Sequence, residues 1–126
     1  GTDVTIVSFG KILKVVLAAA AELEKEGISV EVVDLRSVRP IDYATVVESV
    51  KKTNRLVIVE EAWPLAAISS EITYHVQKHA FDYLDAPIHR INSLDVPLPY
   101  APTLIDAILP SVARTVKAVK AVMYRD

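Results

Sequence analysis

Few residues in this 126-residue chain are spaced as chemistry requires. Glu60 and Glu61 follow the apolar run Leu56-Val57-Ile58-Val59, at the end of a strand where α/β sheets place their functional loops. A carboxyl pair there can act as general acid or base. It can equally cap the next helix by accepting a backbone amide, and that use is the commoner one. Glu71, His75 and His79 recur at helical spacing on one face. Two histidines four apart can chelate a metal, but no fourth ligand is evident, so a solvated polar stripe is expected and no metal site is assigned. His89 is expected to face solvent from a strand. Arg114, Lys117, Lys120 and Arg125 are expected to form a solvated basic face that complements a helix dipole.

The composition excludes more than it offers. The three glycines, Gly1, Gly10 and Gly27, are far apart. A dinucleotide fingerprint and a Walker loop both need clustered glycines, so neither is present. The Gly-Asp-Gly start of a thiamine-diphosphate magnesium site is missing too. No nucleophile elbow points to a Ser-His-Asp set. There is no cysteine, hence neither a disulfide framework nor thiol catalysis. A net charge of −2 argues against a nucleic-acid partner. The longest apolar run, residues 15–21, is too short to span a bilayer. Hydrophobic residues make up 52% of the chain, and the mean hydropathy is +0.32. Two readings follow: apolar surface left over for a partner, or a core rich in alanine and valine.

Residues 4–9 and 28–35 are apolar or β-branched runs that predict strands, and residues 56–59 and 88–91 give two more. Between the first two, Ile12, Val15, Val16, Ala19, Ala20 and Leu23 recur at helical spacing, and Gly27 ends that helix. Asp42 is the expected N-cap of a helix through Lys52, with Ile41 and Val46 as its hydrophobic staple. Further helices are expected over 65–79 and, briefly, over 102–107. Ser111 should cap a last helix with the stripe Val112, Val116, Val119 and Val122 or Met123. Strands alternating with helices imply a three-layer α/β/α domain over 1–126, with a mainly parallel sheet and the first strand central.

Two loop regions carry acids and arginines on proline-fixed backbone. One is Leu35-Arg36-Ser37-Val38-Arg39-Pro40-Ile41-Asp42. The other is Leu84-Asp85-Ala86-Pro87 with Asp95-Val96-Pro97-Leu98-Pro99-Tyr100-Ala101. Together with Val4-Thr5-Ile6-Val7-Ser8-Phe9-Gly10, the stretch from Lys52 to Glu61, Trp63-Pro64 and Leu109-Pro110, they occur in an order and spacing that is specific. The chain resembles the C-terminal domain of pyruvate dehydrogenase beta subunits, within the transketolase-like thiamine enzymes.

The resemblance implies a fragment of a longer beta subunit that retains four parallel strands. The family's antiparallel edge strand would lie upstream, next to the strand over 28–35, leaving that edge open. It implies an assembly role without chemistry of its own. Thiamine diphosphate and magnesium would belong to the parent enzyme and not to this fragment. The implied partners are the alpha subunit, a second beta subunit and the binding domain of a dihydrolipoyl acyltransferase. Asp85, Tyr124, Arg125 and Asp126 are the implied docking residues. Trp63, Pro64, Leu65 and Ile68 are the expected subunit contact, being more apolar than one helix face needs. The implied location is the bacterial cytoplasm or the mitochondrial matrix. Where many relatives carry glycine, this chain has Ala62 and Leu65-Ala66-Ala67-Ile68, which favours helix. The alternatives are a branched-chain or acetoin dehydrogenase beta subunit, a small-ligand α/β module using Arg36 or Arg39, and a hydrolase using Glu60 or Glu61.

Overall fold

A computed structural model describes residues 1–36, 40–61, 68–92 and 110–125. Four strands, β1 (Val4–Ser8), β2 (Val30–Asp34), β3 (Leu56–Val59) and β4 (His89–Ile91), form one parallel sheet in the order β2-β1-β3-β4. The helices are α1 (Leu13–Lys25), α2 (Tyr43–Thr53), α3 (Ile68–Ala80) and α4 (Val112–Val122). The expected short helix over 102–107 lies outside the described residues. Of the two inner strands, β1 is flanked by β2 and β3, as the crossover rule anticipates.

Strand alternation sorts the core into two layers. Val4 and Ile6 of β1, with Val57 and Val59 of β3, face α1 and α4, where they meet Val16, Leu23, Val119 and Val122. Val7, Leu56 and Ile58 face the other way, onto Val46 and Val50 of α2 and Ile72 and Val76 of α3. Burial on both faces explains why β1 and β3 read as continuous apolar runs. The stripe of α4 is rotated from the expected one, because Thr115 and Ala118 are buried with Val119 and Val122.

Two polar residues of β1, Thr5 and Ser8, are buried in the inner sheet. Thr5 of β1 is fully buried, and its hydroxyl lies 2.7 Å from both Ser49 Oγ and Thr53 Oγ1. Ser49 donates to Glu31 Oε1 at 2.9 Å, so Ser49 must accept from Thr5 and Thr5 from Thr53. The Thr53 proton is then shared with the Arg55 carbonyl, 3.1 Å away. The protons of this chain point toward Glu31, whose carboxylate also pairs with Lys52. That pairing holds the Glu31 carboxyl below its ordinary range, against the opposing effect of burial and with help from Ser49. Glu31 stands near the start of edge strand β2, where a charge discourages pairing with other chains.

The run over 28–35 pairs over a shorter stretch than expected. Ile28 N–H donates to Leu23 O, and Gly27 N–H to Glu24 O, at the end of α1. Ile28 is thus occupied by a Schellman cap, with Gly27 left-handed at φ 83°, before the strand begins. The other caps form where anticipated. Asp42 accepts from Thr45 N–H, and Ser111 accepts from Arg114 N–H. Ile41 packs against the cluster that contains Val46.

Candidate docking site

The second proline-fixed loop is held from behind by the end of α2. Asn54 follows the last turn of α2 in the left-handed conformation, φ 66°, which asparagine tolerates better than most residues. Its side-chain amide donates to Tyr83 O at 2.7 Å, and its carbonyl accepts from Asp85 N–H at 2.8 Å. The backbone on both sides of Leu84 is thereby fixed. The Asp85 carboxylate turns outward and is 55% exposed. Its one ion pair among the described residues is with Arg55 Nη2, at a loose 3.9 Å. Arg55 is itself held by donating Nε–H to Val122 O of α4 at 3.1 Å.

Sequence separation hid a second relationship. Tyr124, 39 residues beyond Asp85, donates its hydroxyl to the Asp85 carbonyl at 3.3 Å. Two of the four expected docking residues therefore meet. Arg125 is exposed nearby in sequence, and Asp126 lies outside the described residues. A groove of about 520 Å³ opens beside them, walled by Phe81, Leu84, Pro87, Ile88 and Tyr124 with Asp85 at its side. Asn54, Arg55 and Phe81 were not singled out from sequence. An asparagine between a helix and a strand is the one signal that could have marked the clamp.

Of the expected subunit contact, Ile68 is half-buried against the α2/α3 side of the core. Trp63, Pro64 and Leu65 lie outside the described residues.

The chemical candidates resolve differently. Glu60 is buried, and its carboxylate accepts from Ser69 N–H at 3.2 Å, Ser69 Oγ at 2.5 Å and Asn92 Nδ2 at 2.5 Å. It thus ties the end of β3 to the first turn of α3 and to the residue after β4. A carboxylate surrounded by protein donors at the start of a helix is structural, and it removes Glu60 from the hydrolase reading. Glu61 is exposed.

The polar stripe on α3 is also partly structural. The half-buried ring of His75 stacks on Tyr43 of α2 with centroids 3.7 Å apart. Among the described residues no three His, Cys, Asp or Glu side chains could hold a metal. His89 is exposed, as expected. The basic face of α4 needs correction. Arg114 donates to Asn92 O at 2.8 Å, and Lys120 pairs with Glu26 at 2.9 Å, so two of the four cations anchor α4 to its neighbours. Arg36 is almost fully exposed and lies 3.8 Å from Asp34, beside a cavity that also includes Asp42. Those acids oppose the anion-binding module. Arg39 lies outside the described residues.

Comparison with known proteins agrees with this architecture. A family profile, "Transketolase, C-terminal domain", matches residues 1–115. Over 125 residues the chain is 55% identical to the pyruvate dehydrogenase E1 component subunit beta of Rhizobium meliloti, covering 99% of this chain and 27% of that one. It is 52% identical over 126 residues to the mitochondrial subunit of Dictyostelium discoideum, covering 100% and 35%. The chain thus spans about a third or less of the length of these relatives. A solved split-gene transketolase, an inactive beta4 tetramer, superposes with a TM-score of 0.84 at 30% identity, covering 98% of this chain and 39% of that one. A 2-oxoglutarate:ferredoxin oxidoreductase from Magnetococcus marinus shares the fold, with a TM-score of 0.64 at 16% identity over 97% of this chain and 18% of that one. No helix among the described residues is long and apolar enough to cross a membrane. With four parallel strands sandwiched between two helix layers and a profile match over nearly its whole length, the chain belongs to the transketolase C-terminal domain family.

Proposed function

We propose that this domain is the C-terminal assembly unit of a pyruvate dehydrogenase beta subunit, holding subunits together and docking a dihydrolipoyl acyltransferase through Asp85. The observation that supports the first half is the roughly half-identical match to such beta subunits over nearly the whole chain. The second half is supported by the clamped backbone beneath an outward carboxylate. A fixed loop loses little entropy on binding, and a carboxylate offered to a basic group forms a charge-assisted contact.

Thiamine diphosphate is assigned to the rest of the parent enzyme. That reading is supported by the sequence, which has no Gly-Asp-Gly anchor. The decarboxylation of the 2-oxo acid is accordingly assigned to the rest of the parent enzyme. The test is reconstitution of the full beta subunit with its alpha subunit, thiamine diphosphate and magnesium. Pyruvate should be the preferred 2-oxo acid. A preference for branched-chain 2-oxo acids or acetoin would move the chain to one of those dehydrogenases.

A further inference from the structure

α1 and α4 run in the same direction and bring their N-termini to the carboxyl end of the sheet. Their far ends are joined by the Lys120–Glu26 pair at 2.9 Å. At the near end, α1 follows β1 after the short turn Gly10–Ile12, and Arg114 in the first turn of α4 donates to the carbonyl of Asn92, the residue after β4. Both helices carry cations where the helix dipole favours anions. Their first turns hold no acid. Lys11 and Lys14 stand at the start of α1 and Lys117 in the second turn of α4, all three exposed. Among the described residues no side chain caps α1 or the turn before it.

A buried hydroxyl lies at the same end. Ser8, the last residue of β1, is fully buried, and among the described residues its Oγ has no hydrogen-bond partner. Strand alternation puts its side chain on the face of Val4 and Ile6, toward α1 and α4. Thr5, on the opposite face, has its hydroxyl fully engaged. Buried hydroxyls are normally satisfied, so one left open at the end of a central strand calls for an acceptor from outside the chain. Open α/β sheets receive ligands at this end, where the strand connections part, and here they part between β1 and β3. A Cβ at Gly10 would meet no atom within 4 Å, so the space at the first turn is open. The cavity beside Arg36 is a different one, lined by Val33, Leu35 and Thr45 on the α2 face. Asp34, in register with Ser8, is paired with Arg36 at 3.8 Å.

We infer that this end of the domain binds a phosphate group, as the free ion or as a small phosphate ester. The first N–H groups of α1 and the Ser8 hydroxyl donate to it, and Lys11, Lys14 and Lys117 supply the charge. A phosphate suits the site better than a carboxylate, because a dianion with several acceptor oxygens can use many donors and more than one cation. No glycine-rich loop is required when a helix start supplies the amides. The inference is independent of the docking reading of Asp85, which concerns the opposite end of α4.

The test uses the full beta subunit assembled with its alpha subunit, with thiamine diphosphate and magnesium present so that the cofactor's own site is filled. Calorimetric titration with inorganic phosphate and with glycerol 3-phosphate should show saturable binding of at least one. Tighter binding of the ester makes an ester the ligand, and tighter binding of inorganic phosphate makes it the free ion. Ser8→Ala and Lys11→Gln should each weaken binding by roughly fivefold or more. Lys25→Gln, at the far end of α1, should bind within about twofold of wild type. Without phosphate, Ser8→Ala should melt no lower than wild type, because it removes a hydroxyl that has no partner; with phosphate, it should gain less in melting temperature than wild type does. Absence of saturable binding, equal affinities in all three variants, or equal binding of acetate at the same ionic strength would each overturn the inference.

Discussion

Asp85 N–H donates to Asn54 O at 2.8 Å, while the Asn54 side chain donates to Tyr83 O at 2.7 Å, so one left-handed asparagine holds the loop on both sides of Leu84. Replacing Asn54 separates backbone from side chain. Asn54→Ala loses the amide bond and strains the φ 66° backbone, and should cost about 1–2 kcal/mol. Asn54→Gly loses only the amide bond and should cost less. Urea denaturation of both variants decides the matter. Equal losses would remove the left-handed backbone from the explanation.

The two-layer core makes a second expectation. Ile58 of β3 is fully buried against helices α2 and α3, so Ile58→Ala should destabilise by about 2–5 kcal/mol. Leu17 is apolar too but 53% exposed, and Leu17→Ala should stay within about 0.5 kcal/mol. Comparable losses at the two positions in chemical denaturation would contradict the assigned layers.

Glu60 tests whether the buried carboxylate is structural. Glu60→Gln puts an amide donor where Ser69 and Asn92 already donate, and should cost about 1–3 kcal/mol. Glu61→Gln, at the surface, should be close to neutral. A Glu60→Gln protein as stable as wild type would reopen a chemical role for this residue.

Acid should weaken the domain partly through Glu31 and Asp42. Lys52, and less strongly Ser49, depress the Glu31 carboxyl below its ordinary 4.5. The Thr45 hydroxyl and N–H depress Asp42 below its ordinary 3.8. Both groups bind protons less readily when folded. Their contribution is therefore complete above those ordinary values and is lost as pH falls through the depressed ones. Thermal melts should show wild type ahead of Glu31→Gln at pH 7, with the gap closing toward pH 3. A gap that widens in acid would reverse the assignment.

The fold was legible because its signals are local. β-Branched runs mark the strands, Gly27 is placed for a helix end, and Asp42 and Ser111 are efficient N-caps. Lost boundaries have tertiary causes, as when the end of α1 occupies Ile28 and delays β2. The docking site was legible only in part. Asp85 and Tyr124 came from a family resemblance, and nothing in their types foretells that they touch. Chain closure across the sheet brings them together. Asn54 and Phe81 stayed hidden because their roles exist only once α2, α3 and α4 are packed. Thr5 looked like an ordinary strand residue until its partners on α2 made it part of a hydrogen-bonded chain.

The claim at the centre of this account is that Asp85 is displayed for a basic partner and does more than shape a turn. Asp85→Asn keeps the shape and removes the charge. Surface plasmon resonance of the full beta subunit against the acyltransferase's binding domain, at two salt concentrations with thermal melts as a folding control, tests it directly. The account predicts an unchanged melt, affinity weakened by roughly 1–3 kcal/mol, and a smaller salt effect in the variant than in wild type. Equal affinities at both salt concentrations would contradict it and leave Asp85 as a turn residue.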